Sequence, residues 1–345
     1  MERKPKDKDF VETVEGLFFC VVGYLHPPDA YTAYLKYRPE AGGRWQRADT
    51  QYHRMMKAYS AAEVGDATAW LRDQFPDYVK HDPVRNIELP LIPRNRVMRY
   101  YMPELRLVEI LGAPQDSLEK KTRDLVERLS KISGVPVSRF GVTGSILLGI
   151  HNPAFSDIDL IVFSADSAQR IRSAVESAYD HGQLQPHTAK EVATWRRRQQ
   201  KILGIPAEYA KRLVWPRWQR ARIQKTPYSL HPVRTDEEIL ETYGAQTYTA
   251  VGTVEISATI ADDRESLFVP ASYRVRDVTV HEGPSDVPVI SEVVSFEGIF
   301  AGCASSGDSV RVRGTLEAVQ DSKTGEVRHR VVIGTFSSRG WLVPL

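Results

Sequence analysis

Hydrophobic and polar positions change rhythm twice along the chain, and the changes mark three blocks. In the first, from about residue 9 to residue 111, β-branched and aromatic residues gather in short runs. Residues 11–24 (VETVEGLFFCVVGY) and 31–37 (YTAYLKY) predict strands. His26-Pro27-Pro28 breaks between them, and the turn-like residues 40–44 (EAGGR) close the pair. Short amphipathic stretches fill the remainder, so this block reads as an α+β domain without a legible job.

The second block opens at the hinge-like Ala113-Pro114. Asp116 and Glu119 stand three apart, the spacing of a capping box. Leu118, Leu125, Leu129 and Ile132 follow at helical spacing, and Gly134 with Pro136 stops the helix. A strand over 139–143 leads into Gly144-Ser145, and the apolar run at 157–163 (DIDLIVF) predicts a second strand. A helix over about 166–179 ends at His181-Gly182. One or two helices broken at Pro206 and Pro216 come next, then a short strand at 228–233.

From about residue 247 the rhythm is all β. Residues 251–260, 272–280, 310–319 and 327–335 alternate or favour β-branched side chains, and Lys323-Thr324-Gly325-Glu326 predicts a hairpin turn. Residues 237–243 serve as a helical or looped connection. The expected architecture is α+β with three domains. An accessory α+β domain (1–112) precedes a central domain (113–235) and an all-β domain (236–345), a small barrel or sandwich of five to seven strands.

Composition narrows the class. A chain of 345 residues with 42% hydrophobic and 26% charged positions fits a multidomain globular protein. Cys20 and Cys303 have no partner spacing, which excludes a disulfide framework and a cysteine zinc module. The first ten residues are too charged for a secretory signal, and no apolar run reaches the ~18 residues that span a bilayer. A cytoplasmic protein with no membrane partner is expected.

Net charge is only +2, but residues 190–234 hold twelve Lys or Arg against Glu191 and Glu208. Arg196, Arg197 and Arg198 are the densest part, interleaved with Trp195, Trp215 and Trp218. Two readings stay open. Cations and aromatics can hold RNA or a triphosphate by charge and stacking, or the tryptophans are core and the cations a solvated face.

The chemistry concentrates in residues 141–163 (GVTGSILLGIHNPAFSDIDLIVF). Asp157 and Asp159, two apart on a strand, share a face, where like charges repel unless a cation lies between them. Hard oxygen ligands favour Mg²⁺ or Mn²⁺ over zinc. Gly144-Ser145, between a strand and a helix, can turn backbone N–H groups and a hydroxyl toward phosphate. A Walker A reading fails because Ile150-His151 stand where Lys-Ser/Thr is required.

Gly144-Ser145, Gly149 and Ser156-Asp157-Ile158-Asp159-Leu160 together resemble the signature of nucleotidyltransferases of the DNA polymerase beta superfamily. The layout is also similar to uncharacterised archaeal proteins described only as predicted nucleotidyltransferases. The resemblance implies a mixed sheet flanked by helices, Mg²⁺ dependence and an NTP donor. Asp157 and Asp159 would be catalytic metal ligands, with Gly144 and Ser145 on phosphate and Arg196, Arg197 and Arg198 on substrate.

Active family members add a third carboxylate from a neighbouring strand. Residues 228–234 (YSLHPVR) contain no acid there. Glu255 is the expected replacement; His231 as base, or a site of two carboxylates, are the alternatives. The expected activity is transfer of a nucleoside monophosphate to a hydroxyl, with RNA as the favoured acceptor. An inactive nucleotide- or RNA-binding module is the rival, and nucleotidylation of a protein or small molecule is another.

Overall fold

The structure, a computed structural model, describes residues 3–56, 61–181, 188–215, 218–335 and 339–345. The chain is mixed α and β and forms two compact units, each threaded from separate segments. Met1–Lys57, Pro90–His187 and Arg217–Leu240 make the first; Ala58–Leu89, Thr188–Pro216 and Glu241–Leu345 make the second. Most of the N-terminal block thus belongs to the same unit as the Gly-Ser and Asp-x-Asp residues. Ala113-Pro114 is a turn between two helices of that unit, not a break between units.

In the first unit, the N-terminal sheet runs Trp45–Arg47, Thr50–Arg54, Ala30–Pro39, Phe18–Val21, Phe10–Thr13, Val97–Tyr101, in that spatial order. Phe10, Phe18 and Phe19 are fully buried in it. A second sheet has the order Arg220–Ile223, Thr226–Val233, Ile158–Phe163, Phe140–Thr143. Its acidic strand, Ile158–Phe163, lies parallel to Thr226–Val233 and antiparallel to Phe140–Thr143. Ile158, Leu160, Ile161 and Val162 are all at 0% exposure, so both faces of this strand are covered.

The longer helices of this unit are Pro103–Gly112, Ser117–Ser133 and Ala165–Asp180. Asp116 caps the second, accepting from Leu118 N at 2.8 Å and Glu119 N at 2.9 Å, and Gly134 ends it in the left-handed conformation. Only half of the expected capping box forms. The Glu119 carboxylate accepts from Gln115 N at 2.7 Å and pairs with Arg106, because the preceding helix brings that guanidinium within reach.

Two local expectations need correction. The acidic strand starts at Ile158, so Asp157 precedes it instead of lying within it. Arg220–Ile223 is an additional strand, joined to Thr226–Val233 by a tight turn in which Gln224 and Lys225 both have positive φ. Residues 237–243 take the looped alternative of the expected connection. Gly182, Pro216 and Arg217 lie outside the described residues.

The second unit contains the helices Ala61–Gln74, Ala189–Leu203 and Ala207–Ala210 and a six-stranded sheet. The sheet order is Gln246–Asp262, Ala271–Glu282, Ile290–Ser295, Val327–Ile333, Ser309–Asp321, Trp341–Pro344. A further pairing between Gln246–Asp262 and Ser309–Asp321 closes five of these strands into a ring. Tyr273, Val293, Val331 and Trp341 are among the buried residues of its core. The expected hairpin turn is built on Asp321, which accepts from Lys323 N and Thr324 N at 2.9 and 2.8 Å.

Candidate active site

Asp159 sits on the central strand of the four-stranded sheet, opposite Thr143 on one side and Ser229 on the other. Thr143 runs directly into Gly144, so strand pairing alone carries the Gly-Ser turn to the Asp159 carboxylate. Gly144 has φ +68°, and a Cβ built there would lie 2.6 Å from Asp159 Oδ2. No side chain fits in that gap, which is the physical reason for glycine at this position. Ser145 follows in the one-turn helix Gly144–Leu148.

On the other side, the Ser229 hydroxyl donates to Asp159 Oδ1 and lies 2.8 Å from His231 Nε2. A hydroxyl has one proton to give. With that proton on Asp159, His231 Nε2 must be the donor to Ser229 Oγ. The two residues form a donor chain that ends on the carboxylate, and His231 Nε2 is itself 3.7 Å from Asp159 Oδ1. In this geometry His231 Nε2 is turned toward Ser229 and the Asp159 carboxylate.

The two acids are pulled in opposite directions. Burial pushes the Asp159 carboxyl up, but the nearby His231, the Lys36 charge and the hydrogen bond from Ser229 outweigh it, holding it well below the usual carboxylate range. Asp157, more exposed, is pushed up by the charge of Asp159 and secondarily by desolvation, against the cations Lys36 and Arg54. Burial lowers the His231 pKa, opposed by its contact with Asp159.

Lys36 and Arg54 come from the N-terminal sheet, on Ala30–Pro39 and Thr50–Arg54. Lys36 is buried, its ammonium 5.2 Å from the Phe10 ring centroid. Sequence reasoning missed both. A signal existed at one of them, since Lys36 interrupts the apolar run YTAYLKY.

A divalent cation fits this donor set. The carboxylates are two hard oxygen ligands whose mutual repulsion, visible at Asp157, a cation would relieve. Mg²⁺ is commonly held by one or two carboxylates together with substrate phosphates.

The other expected residues belong to the second unit. Glu255 is on Gln246–Asp262 in the second unit, its carboxylate bound by Arg311 Nε at 2.8 Å and Arg313 Nη1 at 3.1 Å. It is committed to two guanidiniums because cross-strand pairing sets Arg313 directly opposite it. The carboxylate expected as a third acid is thus held by two guanidiniums.

Arg196, Arg197 and Arg198 lie on the helix Ala189–Leu203, also in the second unit. Arg196 Nε donates to Leu213 O at 2.9 Å, while Arg197 and Arg198 are exposed. Trp195 packs on Trp215 with ring centroids 5.0 Å apart, and Trp218 is buried in the first unit. Trp195 also packs against the core of the ring.

Two comparisons bear on this site. The nucleotidyltransferase domain family matches residues 120–232, a span that contains Gly144, Ser145, Asp157, Asp159, Ser229 and His231. An uncharacterised protein of Methanocaldococcus jannaschii is 32% identical over 340 residues, covering 96% of both chains.

Proposed function

Because the chain belongs to the nucleotidyltransferase family of the DNA polymerase beta superfamily, we propose that it transfers a nucleoside monophosphate from an NTP to a hydroxyl and releases pyrophosphate. The observation that carries this reading is the contact of Gly144 with the Asp159 carboxylate. It joins the phosphate turn and the acid pair in one site.

Asp157 and Asp159 would hold Mg²⁺ or Mn²⁺. When bound, the ion supplies charge neutralisation of the triphosphate and alignment of the leaving pyrophosphate. The chain's own residues do the rest. Ser229 and His231 hold Asp159 ionised and fixed in direction. Gly144 and Ser145 present backbone N–H groups and a hydroxyl to phosphate, and Lys36 and Arg54 add positive charge beside the acids. With Glu255 committed to Arg311 and Arg313, the site we propose has two carboxylates.

RNA is the acceptor we favour. Arg197, Arg198 and Lys201 are exposed on the helix Ala189–Leu203, and spacings of three and four residues place both arginines near Lys201. The ring in the second unit supports the same reading. Numbered in chain order, its five strands connect 1-2-3-5-4 and back to 1, with the third and fifth parallel. This is the connectivity of OB-type barrels, several of which bind oligonucleotides. The likeness concerns architecture and does not by itself assign a job.

A second reading rests on one observation: Ser229 and His231 occupy the strand beside Asp159 where active relatives carry an acid. In that reading the protein binds nucleotide or RNA without turnover. Incubation with labelled NTPs, Mg²⁺ and total cellular RNA and protein separates the readings. Label in RNA supports the proposal, and label in protein or a small molecule redirects the acceptor. NTP binding without pyrophosphate release selects the binding module.

A further inference from the structure

Residues 152–156 lie between the Gly-Ser turn and Asp157, and their backbone is tightly organised. Asn152 O accepts from Phe155 N at 3.1 Å and Ser156 N at 2.9 Å, while Asn152 Oδ1 accepts from Ala154 N at 2.9 Å. The Ser156 hydroxyl turns inward and accepts from Asn152 N at 3.0 Å. This compact turn leaves Phe155 39% exposed, two residues before Asp157.

Phe155 is not an isolated surface aromatic. The N-terminal hairpin docks on this loop, with Gln46 N donating to Ile150 O at 3.3 Å. Trp45 meets Phe155 edge-on with centroids 5.9 Å apart, and the buried Tyr37 supports Trp45 from behind at 5.4 Å. The exposed Arg44 guanidinium lies over the Phe155 ring, 4.3 Å from its centroid. The cross-strand pairs Trp45–Tyr52 and Tyr37–Arg54 put Trp45 on the same face of the sheet as Tyr37 and Arg54. The aromatic step thus ends on Phe155, in the loop that leads directly into Asp157.

We infer that Phe155, with Trp45 and Arg44 around it, is the shelf on which the base of the donor nucleotide stacks. This deepens the proposed NTP reading and rests on it. Two residues of chain span at most about 7 Å, so a base on Phe155 keeps its phosphates near Asp157 and the Gly-Ser turn. Arg44 now covers the ring face that the base would take. An exposed cation–π contact strengthens an interaction about three-fold, whereas a base stacked on an aromatic strengthens it about tenfold or more. The base therefore displaces Arg44 instead of being shut out by it. A shelf without hydrogen-bonding groups tolerates any base, because every base offers a π face.

The test titrates the full-length protein with ATP and, separately, with inorganic tripolyphosphate, both with Mg²⁺, by calorimetry and tryptophan fluorescence. Wild type is expected to bind ATP at least tenfold more tightly than tripolyphosphate, with fluorescence quenching that Trp45→Phe removes. Phe155→Ala should erase that preference while leaving tripolyphosphate affinity unchanged, and Phe155→Trp should retain it. The unchanged tripolyphosphate affinity also certifies the fold of the variant. ATP binding to Phe155→Ala as tight as to wild type overturns the shelf and leaves the NTP reading intact. Failure of wild type to bind either compound overturns both.

Discussion

Two groups of carboxylates in this molecule are built on opposite principles. In the second unit, Glu255 lies between Arg311 and Arg313, and Glu282 adds another acid to Arg313. Glu255 and Glu282 stand opposite each other on paired strands, and Arg313 bridges the two, so each acid has a cation. In the first unit, Asp157 and Asp159 stand two residues apart, and the charge of Asp159 raises the pKa of Asp157. The first arrangement satisfies itself within the folded chain. The second leaves an electrostatic tension that a bound cation can relieve, and that difference separates a structural ion-pair ladder from a candidate catalytic site.

The sharpest way to break the comparison is to neutralise the acids. Asp157→Asn or Asp159→Asn should each lower metal-dependent transfer by about 10³-fold, since each would remove a metal ligand. Their stabilities should diverge. Asp159→Asn loses charged hydrogen bonds from the Ser229–His231 chain and should cost about 1 kcal/mol in urea denaturation. Asp157→Asn should be neutral or slightly stabilising at pH 7.

The pH dependence follows from the direction of each shift. Asp157 has a raised folded-state pKa, so its contribution is most favourable below its unfolded value and worsens as pH rises through the folded one. The advantage of Asp157→Asn should therefore vanish in acid, below the ordinary aspartate range. Asp159 is shifted down, so its contribution is present above the unfolded value and fades as pH falls. Parallel pH–stability curves for the two variants would remove the asymmetry claimed here.

Gly144→Ala comes next in size. The new methyl would collide with Asp159 Oδ2 at a backbone conformation that alanine avoids. Transfer should fall about 10²-fold, the scale of an ångström-sized misplacement, with a loss of about 1–2 kcal/mol in thermal or urea stability. Wild-type kinetics in this variant would show that the contact has no part in catalysis.

His231→Ala should reduce kcat about tenfold with little change in KM, because the donor chain to Asp159 is shortened but the acids remain. His231→Gln, which keeps an N–H donor, should recover part of the loss. A drop of 10²-fold or more that glutamine does not restore would instead mark His231 as a base.

The smallest catalytic effect is expected at Glu255. Glu255→Gln should leave transfer unchanged and cost about 1 kcal/mol of stability through its two guanidinium contacts. A large loss of activity with unchanged stability would erase the contrast between the two groups of acids.

Features decided by neighbouring residues were legible in the sequence alone. The helix Ser117–Ser133, its Asp116 cap and its Gly134 stop follow from local spacing and cap chemistry, and structure and sequence agree on them. The approach of Gly144 to Asp159 was also legible, because only a dozen residues separate the Gly-Ser turn from the acids and strand–helix–strand order constrains where both end up. What sits around those acids was not. Ser229 reaches Asp159 through a parallel register formed across seventy residues. Lys36 and Arg54 arrive from another sheet, and the two arginines that hold Glu255 lie more than fifty residues away. Hydrophobic periodicity specifies which face of an element is buried, but it does not say which charge will stand opposite. That choice belongs to strand register and sheet order, so the acids were readable from the chain while their counter-charges belonged to the tertiary structure.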